Sequence, residues 1–506
     1  MKKTITFCTI FWLVAQVSFA QTNSFFVKDS LGAYIQKSMA QWNIPGLALA
    51  ITQGDVIIYS KAFGVLKKGA TEPVNSQTLF PIGSMGKSFT AFSLAMLDHQ
   101  QKLSLDDKVK KWLPWFSMKD KDYEKELRVK DILSHRTGME TFQGDLLWTE
   151  SSLSNRAIIE KWGKFKPSFP IRSNFGYCNI GYMIAGEVIK ANTGLSWQQY
   201  TQQNILNPLG MKNSFVEMAS LKNKPNVAVG HTITNNQLEQ IPEGTGVMQA
   251  FGGMYSNLED IARWLMLHTN DGRIDGKQLF PERLIWNVRN PFSIVGKQFF
   301  PQGNMLTVNY GLGWDMVNYY NQEIVSHGGA YSGFLSMMGF VPNKKMGFVI
   351  LTNSDSHEFT EALRWTIIDS FLGVKTKNYS EEMFAYIRHR NTEEKKIMAS
   401  WKDSVNVLNA HKISLKPFEG RYQNDIYGNI ELKQQENKLL MKMEHHPSIS
   451  ATLSYMSNDR FLCEYNHPMF GTAVIPFSRV NGNATGLTLS VHPSLEYTTY
   501  SFIKIK

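Results

Sequence analysis

Phe334-Leu335-Ser336-Met337-Met338-Gly339-Phe340-Val341-Pro342-Asn343-Lys344-Lys345-Met346-Gly347-Phe348-Val349-Ile350-Leu351 reads as two apolar strands joined by the turn-like tetrapeptide Pro342–Lys345. A further strand signal, Glu323 to Ser326, precedes this pair, and an amphipathic helical pattern from Glu358 to Leu372 follows it. Far upstream, Leu47 to Ile51 and Val56 to Tyr59 are short apolar runs on either side of Gln53-Gly54-Asp55, the pattern of a β-hairpin. Between the two groups the character changes. Phe89, Phe92, Met96 and Leu97 fall at helical spacing, and helical or loop segments dominate to about residue 270. Strands at both ends with a mostly helical insert predict an α+β fold, one antiparallel sheet flanked by helices.

A chain of 506 residues exceeds a single ordinary core, so a second domain is expected. Residues 391–414 are charged and polar with weak helical periodicity and read as a linker. From Pro417 onward the pattern is all strand. Ile430 and Leu432 alternate with Asn429, Glu431 and Lys433; Leu439, Met441 and Met443 alternate with Leu440 and Lys442; Ile503 and Ile505 alternate with Lys504 and Lys506. Residues 415–506 therefore predict a small β-barrel or sandwich, after a first domain spanning 21–390.

The first twenty residues carry an address. Lys2-Lys3 is a charged start, Ile5 to Val17 an apolar stretch, and Ser18-Phe19-Ala20 a signal-peptidase site, predicting removal of 1–20. The expectation is an exported bacterial protein, periplasmic or secreted, with no stable membrane insertion after cleavage; an uncleaved anchor is the alternative. The net charge of +10 has no basic block or aromatic–basic alternation behind it, which argues against a nucleic-acid partner. Once Cys8 leaves with the signal, Cys178 and Cys463 remain, and two such distant cysteines are no disulfide framework. There is no zinc-like pairing of Cys with His, so no metal or cofactor is expected, and His445-His446 reads as a solvent-facing pair.

Three motifs carry chemistry. Phe80-Pro81-Ile82-Gly83-Ser84-Met85-Gly86-Lys87 places Ser-x-x-Lys at a helix start, where residues three apart share a face. A serine hydroxyl needs a neighbouring base, and lysine serves only if burial or other cations lower its pKa. Tyr-x-Asn occurs at several places, among them Tyr177-Cys178-Asn179, Tyr255-Ser256-Asn257, Tyr319-Tyr320-Asn321 and Tyr422-Gln423-Asn424. The first stands out because it leads directly into the apolar helix Met183 to Ile189, a rigid support for a proton-relaying phenol and a carbonyl-binding amide. His327-Gly328-Gly329 is the one His-x-Gly of the chain and follows the strand signal Glu323 to Ser326. Its glycines would let a substrate backbone lie close, with the Ala330 N–H joining that of Ser84 as an oxyanion hole. Each motif alone also fits a structural role: a capping serine, a packed tyrosine, a histidine ending a strand.

Taken in order, Ser-x-x-Lys, Tyr-x-Asn and His-x-Gly resemble the serine β-lactamase and penicillin-binding-protein superfamily, and within it the class C branch with its D-amino-acid-specific peptidases and esterases. Connecting text adds to the likeness: Ile44-Pro45-Gly46-Leu47, Leu103-Ser104-Leu105-Asp106-Asp107, Leu133-Ser134-His135-Arg136-Thr137-Gly138 and Gly252-Gly253-Met254. The stretch from Pro417 to Tyr422 onward resembles the lipocalin-like β-barrel often appended to such hydrolases. The resemblance implies a Ser84 acyl-enzyme, with Lys87 and Tyr177 as the proton-transfer pair and Asn179 positioning substrate. It implies that His327, Gly328, Gly329 and Ala330 line the substrate site, and that His135 braces a loop. Substrates would be D-amino-acid-containing peptides, related amides or esters, cell-wall-derived ones among them. A true β-lactamase, or a non-catalytic penicillin-binding or sensing protein, is the alternative. One departure matters. The third motif of efficient β-lactamases usually begins with lysine, whereas His327 has an unperturbed pKa near 6.5 and offers a substrate carboxylate little charge at neutral pH. Cys178, where serine is common, reads as a small buried filler.

Overall fold

The computed structural model describes residues 30–505, except 222, 235–236, 242–249, 301–302, 304, 376 and 410–412. The expected signal segment 1–20 lies outside the described residues.

Helix α1 (Leu31–Trp42) leads into β1 (Gly46–Gln53) and β2 (Val56–Gly64), the hairpin expected from the two apolar runs. The sheet is completed by β3 (Ser293–Phe299), β4 (Met305–Tyr310), β5 (Asp315–Tyr319), β6 (Gln322–Tyr331), β7 (Phe334–Val341) and β8 (Met346–Thr352). The order is β2-β1-β8-β7-β6-β5-β4-β3, with every neighbouring pair antiparallel. The chain thus re-enters the sheet at Ser293 and ends by laying β8 against β1, Ala50 opposite Val349.

β1 and β8 are buried almost end to end, which explains why they read as continuous apolar runs. Leu47, Leu49 and Ile51 face a core shared with α1 and with α5 (Phe359–Leu372). Ala48 and Ala50, on the opposite face, meet the core that contains α2 (Lys87–His99), α3 (Asn179–Thr193) and α4 (Leu258–Thr269). Within that second core the Trp264 ring of α4 stacks on Phe89 of α2 at 4.2 Å between centroids. The helix that begins just past Ser84 is therefore fixed by packing and not only by propensity.

One strand is longer than its sequence signal. β6 does not end at Ser326: it runs through His327, Gly328 and Gly329, with His327 opposite Met338 and Gly329 opposite Ser336. Ladder hydrogen bonds are made by the backbone, so two weak strand formers are carried by the partner strand. The stretch read as a linker from residue 391 joins the two domains as helix, α6 running Tyr379–Asn409. Its periodicity is weak because it docks at two separate places. Tyr379, Met383, Phe384 and Ile387 meet the sheet domain, whereas Trp401 and Val405 meet Met456, Leu462 and Val474 of the C-terminal domain.

That domain is a closed eight-stranded antiparallel barrel: β9 (Gly420–Asn424), β10 (Gly428–Gln435), β11 (Lys438–Met443), β12 (Ser450–Ser457), β13 (Arg460–Tyr465), β14 (Thr472–Val480), β15 (Asn483–Leu489) and β16 (Tyr500–Ile505). Phe418, Tyr422, Leu432, Leu439, Leu453, Phe461, Phe477 and Phe502 are buried in its core. The alternation at the chain end turns Phe502 inward and Ile503 outward, the latter 69% exposed. Pairing decides this, because Phe502 sits opposite the buried Leu487 and must share its face. His445-His446 is also not solvent-facing. His446 is buried and its Nε2 donates to the Leu146 carbonyl at 2.7 Å, part of the contact between barrel and sheet domain.

His268 sits among Phe92, Trp264, Trp314 and Phe340, and neither of its ring nitrogens meets a hydrogen-bond partner among the described residues. Burial holds its pKa well below the ordinary value, with Arg289 adding to the effect. The unfolded chain therefore takes up a proton near pH 6.5 that the fold refuses. Stability is full above that pH and is lost below it, at about 1.4 kcal/mol per pH unit for such a site. His268→Leu should lose less stability than the wild type between pH 7.5 and pH 5, measured by urea unfolding at both pH values. Equal acid sensitivity in the two proteins would contradict this.

Candidate active site

Ser84 lies in a tight helical turn, Gly83–Gly86, immediately before α2. The approach to it is stapled down: Phe80–Pro81 pairs with Tyr255–Ser256, and the Ile82 N–H donates to the Met254 carbonyl at 2.9 Å. From Phe80 to Thr90, Ser84 is the one residue that is not buried. A rigid, enclosed turn thus presents a single hydroxyl to the solvent side.

Lys87 is fully buried, and its Nζ lies 2.9 Å from Ser84 Oγ, 2.7 Å from Asn179 Oδ1 and 2.8 Å from the Phe251 carbonyl oxygen. Burial lowers its pKa to about 7, against the opposing pull of Asp145. The three oxygens can accept all three N–H groups of the charged amine; in the neutral form the two carbonyl oxygens take its two N–H groups and the lone pair faces the Ser84 hydroxyl. The ring of Tyr177 stands 4.8 Å from Nζ, and its hydroxyl is hydrogen-bonded to the Ser84 side chain. Burial keeps that phenol well above its ordinary pKa, so it is a proton donor and not a resident base. Ser84, Lys87 and Tyr177, far apart in sequence, are in mutual contact.

Asn179 is the first residue of α3, capped by the sulfur of Cys178, which accepts the Gly181 N–H at 3.3 Å. Burial pushes the Cys178 thiol up to about 12, consistent with a filler and not a nucleophile. His135 braces this corner. Its Nδ1 accepts the Cys178 N–H at 3.0 Å and its ring lies 4.2 Å from that of Tyr177. The other Tyr-x-Asn copies serve the fold: Asn257 caps α4, Tyr319 donates to Asp369, and Tyr422 donates to the Phe418 carbonyl.

His327 projects from β6 into the same cluster. Its Nδ1 donates to the Gly328 carbonyl at 2.6 Å, which leaves Nε2 to accept the Tyr310 hydroxyl at 3.0 Å. Burial and the nearby Lys87 push its pKa down to about 3, so it is neutral across the physiological range. At Gly329 the close approach is explicit: a Cβ there would stand 2.1 Å from the Ile82 carbonyl oxygen. β6 is thereby laid against the segment that carries Ser84, and the position of a Cβ on Gly83 is 2.8 Å from the Ala330 nitrogen. The backbones of Gly83–Ser84 and Ala330 are adjacent, as two converging N–H donors require.

Three participants gave no usable sequence signal. The Phe251 oxygen belongs to the backbone. Tyr310 is one aromatic among many. Asp145 is a loop residue whose Oδ2 accepts Asn179 Nδ2 at 2.6 Å and whose Oδ1 accepts the Trp148 indole N–H at 2.9 Å. Burial raises Asp145 to about 7. Among the described residues no cluster of three or more His, Cys, Asp or Glu side chains is arranged to hold a metal ion, and no helix is long and apolar enough to cross a membrane.

Comparison with known proteins points to one family. The sequence is 26% identical over 366 residues to an unguisins hydrolase of Aspergillus campestris, covering 67% of this chain and 64% of that protein, so the chain spans just under two thirds of that relative. It is 25% identical to penicillin-binding protein 4 of Amycolatopsis lactamdurans, covering 66% of this chain and 87% of that one. It is 24% identical to penicillin-binding protein 4* of Bacillus subtilis, covering 63% and 70%. The octameric penicillin-binding protein homologue from Pyrococcus abyssi superposes with a TM-score of 0.61 at 23% identity, over 94% of this chain and 99% of that one, a likeness of fold. The sequence profile of the beta-lactamase family matches residues 31–372, and the chain belongs to that family, within the serine hydrolases of β-lactamase and penicillin-binding type.

Proposed function

We propose that this protein, exported to the periplasm or the medium, hydrolyses D-amino-acid-containing peptides or related amides and esters through an acyl-enzyme on Ser84. The observation that carries the reading is the buried Lys87 amine, held at hydrogen-bond distance from Ser84 Oγ, Asn179 Oδ1 and the Phe251 carbonyl oxygen, its pKa lowered to about 7 by burial. In this mechanism Lys87 takes the hydroxyl proton as Ser84 Oγ attacks the substrate carbonyl. The N–H groups of Ser84 and Ala330 receive the oxyanion, helped by the positive end of α2. Tyr177, still protonated, hands its proton to the leaving nitrogen or oxygen and is reprotonated from Lys87. Water then takes the place of Ser84 in the reverse sequence and releases the acid.

Charge supports this choice of substrate class. A neutral His327 gives no counter-ion to a C-terminal carboxylate, which favours peptides recognised by other groups, and simple esters, over carboxylate-anchored β-lactams. Relatives named as an unguisins hydrolase and as penicillin-binding proteins are in keeping with hydrolysis or acylation at this type of site. The charged start, apolar stretch and Ser18-Phe19-Ala20 site support export.

Incubation with a panel of D-amino-acid peptides, esters and β-lactams, followed by intact-protein mass spectrometry, should give an adduct on Ser84 that is absent from Ser84→Ala. An adduct mapped to another residue would remove the assignment. Acylation by a neutral ester should rise with pH to a plateau with a midpoint of about 7, since Lys87 is a base only after losing its proton. Lys87→Met should lower the plateau by about 10²- to 10⁴-fold; a flat profile in the wild type would exclude Lys87 as the base. His327→Lys should raise the rate with carboxylate-bearing substrates relative to their amides, compared as kcat/KM. An unchanged ratio would mean that this position does not face that end of the substrate.

A further inference from the structure

The loop that carries Asp145 is held from the other domain. Within the loop, the Asp145 N–H donates to the Phe142 carbonyl and the Leu147 N–H to the Gly144 carbonyl, at 3.0 and 2.9 Å. The N–H groups of Gly144 and Leu146, on either side of Asp145, are left over by that pattern. Both donate to Glu496, which lies more than three hundred residues away in the barrel domain: Gly144 to Oε1 at 2.8 Å and Leu146 to Oε2 at 3.0 Å. Glu496 is itself 2% exposed and is fastened inside the barrel domain by the hydroxyls of Tyr427 and Tyr500. Two backbone amides and two tyrosine hydroxyls converge on it, a setting that favours the carboxylate against the burial that raises its pKa to about 7.

From this geometry we infer that the barrel completes the active site, with Glu496 a positioning residue that acts through Asp145 and Asn179 on Lys87. The inference rests on the Ser84 reading given above. The path is continuous: Glu496 to the amides flanking Asp145, Asp145 Oδ2 to Asn179 Nδ2 at 2.6 Å, and Asn179 Oδ1 to Lys87 Nζ at 2.7 Å. Asn179 cannot turn without losing either its carboxylate or its amine partner. Asp145 cannot shift without stranding two buried amides, at about 1–3 kcal/mol for each unsatisfied group. Further contacts pin the same loop to the barrel. Besides the bond from His446 to the Leu146 carbonyl, the Ser152 N–H donates to the His445 carbonyl at 2.9 Å. Phe142, which packs against Tyr177, stacks on Tyr497 beside Glu496.

The test uses full-length protein, with p-nitrophenyl acetate turnover and fluorophosphonate labelling of Ser84 as readouts. Glu496→Gln places an N–H group among donors. It should lower kcat by about tenfold or more with KM changed by less than about threefold, as misplacement of catalytic groups does. Asp145→Ala should lower kcat in the same way. Adding Glu496→Gln to Asp145→Ala should cost little more, because both act on one path. Lys161→Ala removes another bond between the domains, from Nζ to the Ile426 carbonyl, and should leave kcat unchanged. Glu496→Asp, which keeps the charge but withdraws it from the amides, should fall between wild type and Glu496→Gln; it carries the test should Glu496→Gln fail to fold. Full kcat in Glu496→Gln or Glu496→Asp would overturn the inference, as would additive losses in the double variant or an equal loss in Lys161→Ala. Ser84→Ala, run alongside, separates the two ideas. Turnover surviving there removes the functional reading, whereas loss there with full kcat in Glu496→Gln removes only the role of Glu496.

Discussion

The rest of the site is arranged around one uncomfortable group, the amine of Lys87. A cation at that depth would cost several kcal/mol in lost hydration, and the protein answers by making the neutral form the comfortable one. Two carbonyl oxygens accept its N–H groups, and the adjacent carboxyl, Asp145, is itself pushed toward neutrality by burial. Each acceptor comes from a different part of the chain. Asn179 is delivered by the start of α3 and the Phe251 carbonyl by the segment laid along α2. That segment is held by the Thr90 hydroxyl, which donates to the Ala250 carbonyl. The β-sheet acts on this arrangement from the far side, where Gly329 of β6 admits the Ile82 carbonyl to close contact.

How much of this was readable from sequence depends on the range of each interaction. Ser84 and Lys87 are one turn apart, and Tyr177 and Asn179 flank one residue, so short motifs report them. The sheet was legible for a similar reason: β1, β7 and β8 are buried on both faces and announce themselves as unbroken apolar runs. α6 was not, because its few apolar residues serve two surfaces and fit no single stripe. Asp145, the Phe251 carbonyl and Glu496 leave no local trace. Two are acids in unremarkable loops and the third is a backbone atom, and each matters only through what folding brings beside it. The end of the barrel shows the same limit. Alternation along β16 was visible, but which set faces inward was decided by its partner strand.

The domain contact changes what the barrel is for. A closed barrel with its core filled by Phe418, Phe461 and Phe477 has aromatic packing where a carrier would have a cavity. Its polar investment is at one edge instead, where Glu496, His446 and the His445 carbonyl all engage residues 144–152. Burying a carboxylate such as Glu496 is expensive unless donors surround it, and four of them do. In the proposed mechanism that cost is spent on fixing a loop whose side chain steadies the catalytic amide.

Charge neutrality links this architecture to the chemistry proposed. His327 is held neutral by burial, Lys87 is neutral when it can act as a base, and Tyr177 keeps its proton. The resting cleft then holds no permanent cation among the three motifs. An oxyanion formed there would be met by the backbone dipoles of Ser84, Ala330 and the first turn of α2, beside the Lys87 ammonium that the proton transfer has just created. Dipoles stabilise charge that appears at a fixed point in the transition state and do little for a carboxylate several ångströms away, whose ground-state binding calls for a full opposite charge. A site of this kind spends its electrostatics on the reacting carbonyl and leaves selection of the substrate to shape, which is the behaviour expected of a hydrolase for neutral amides and esters.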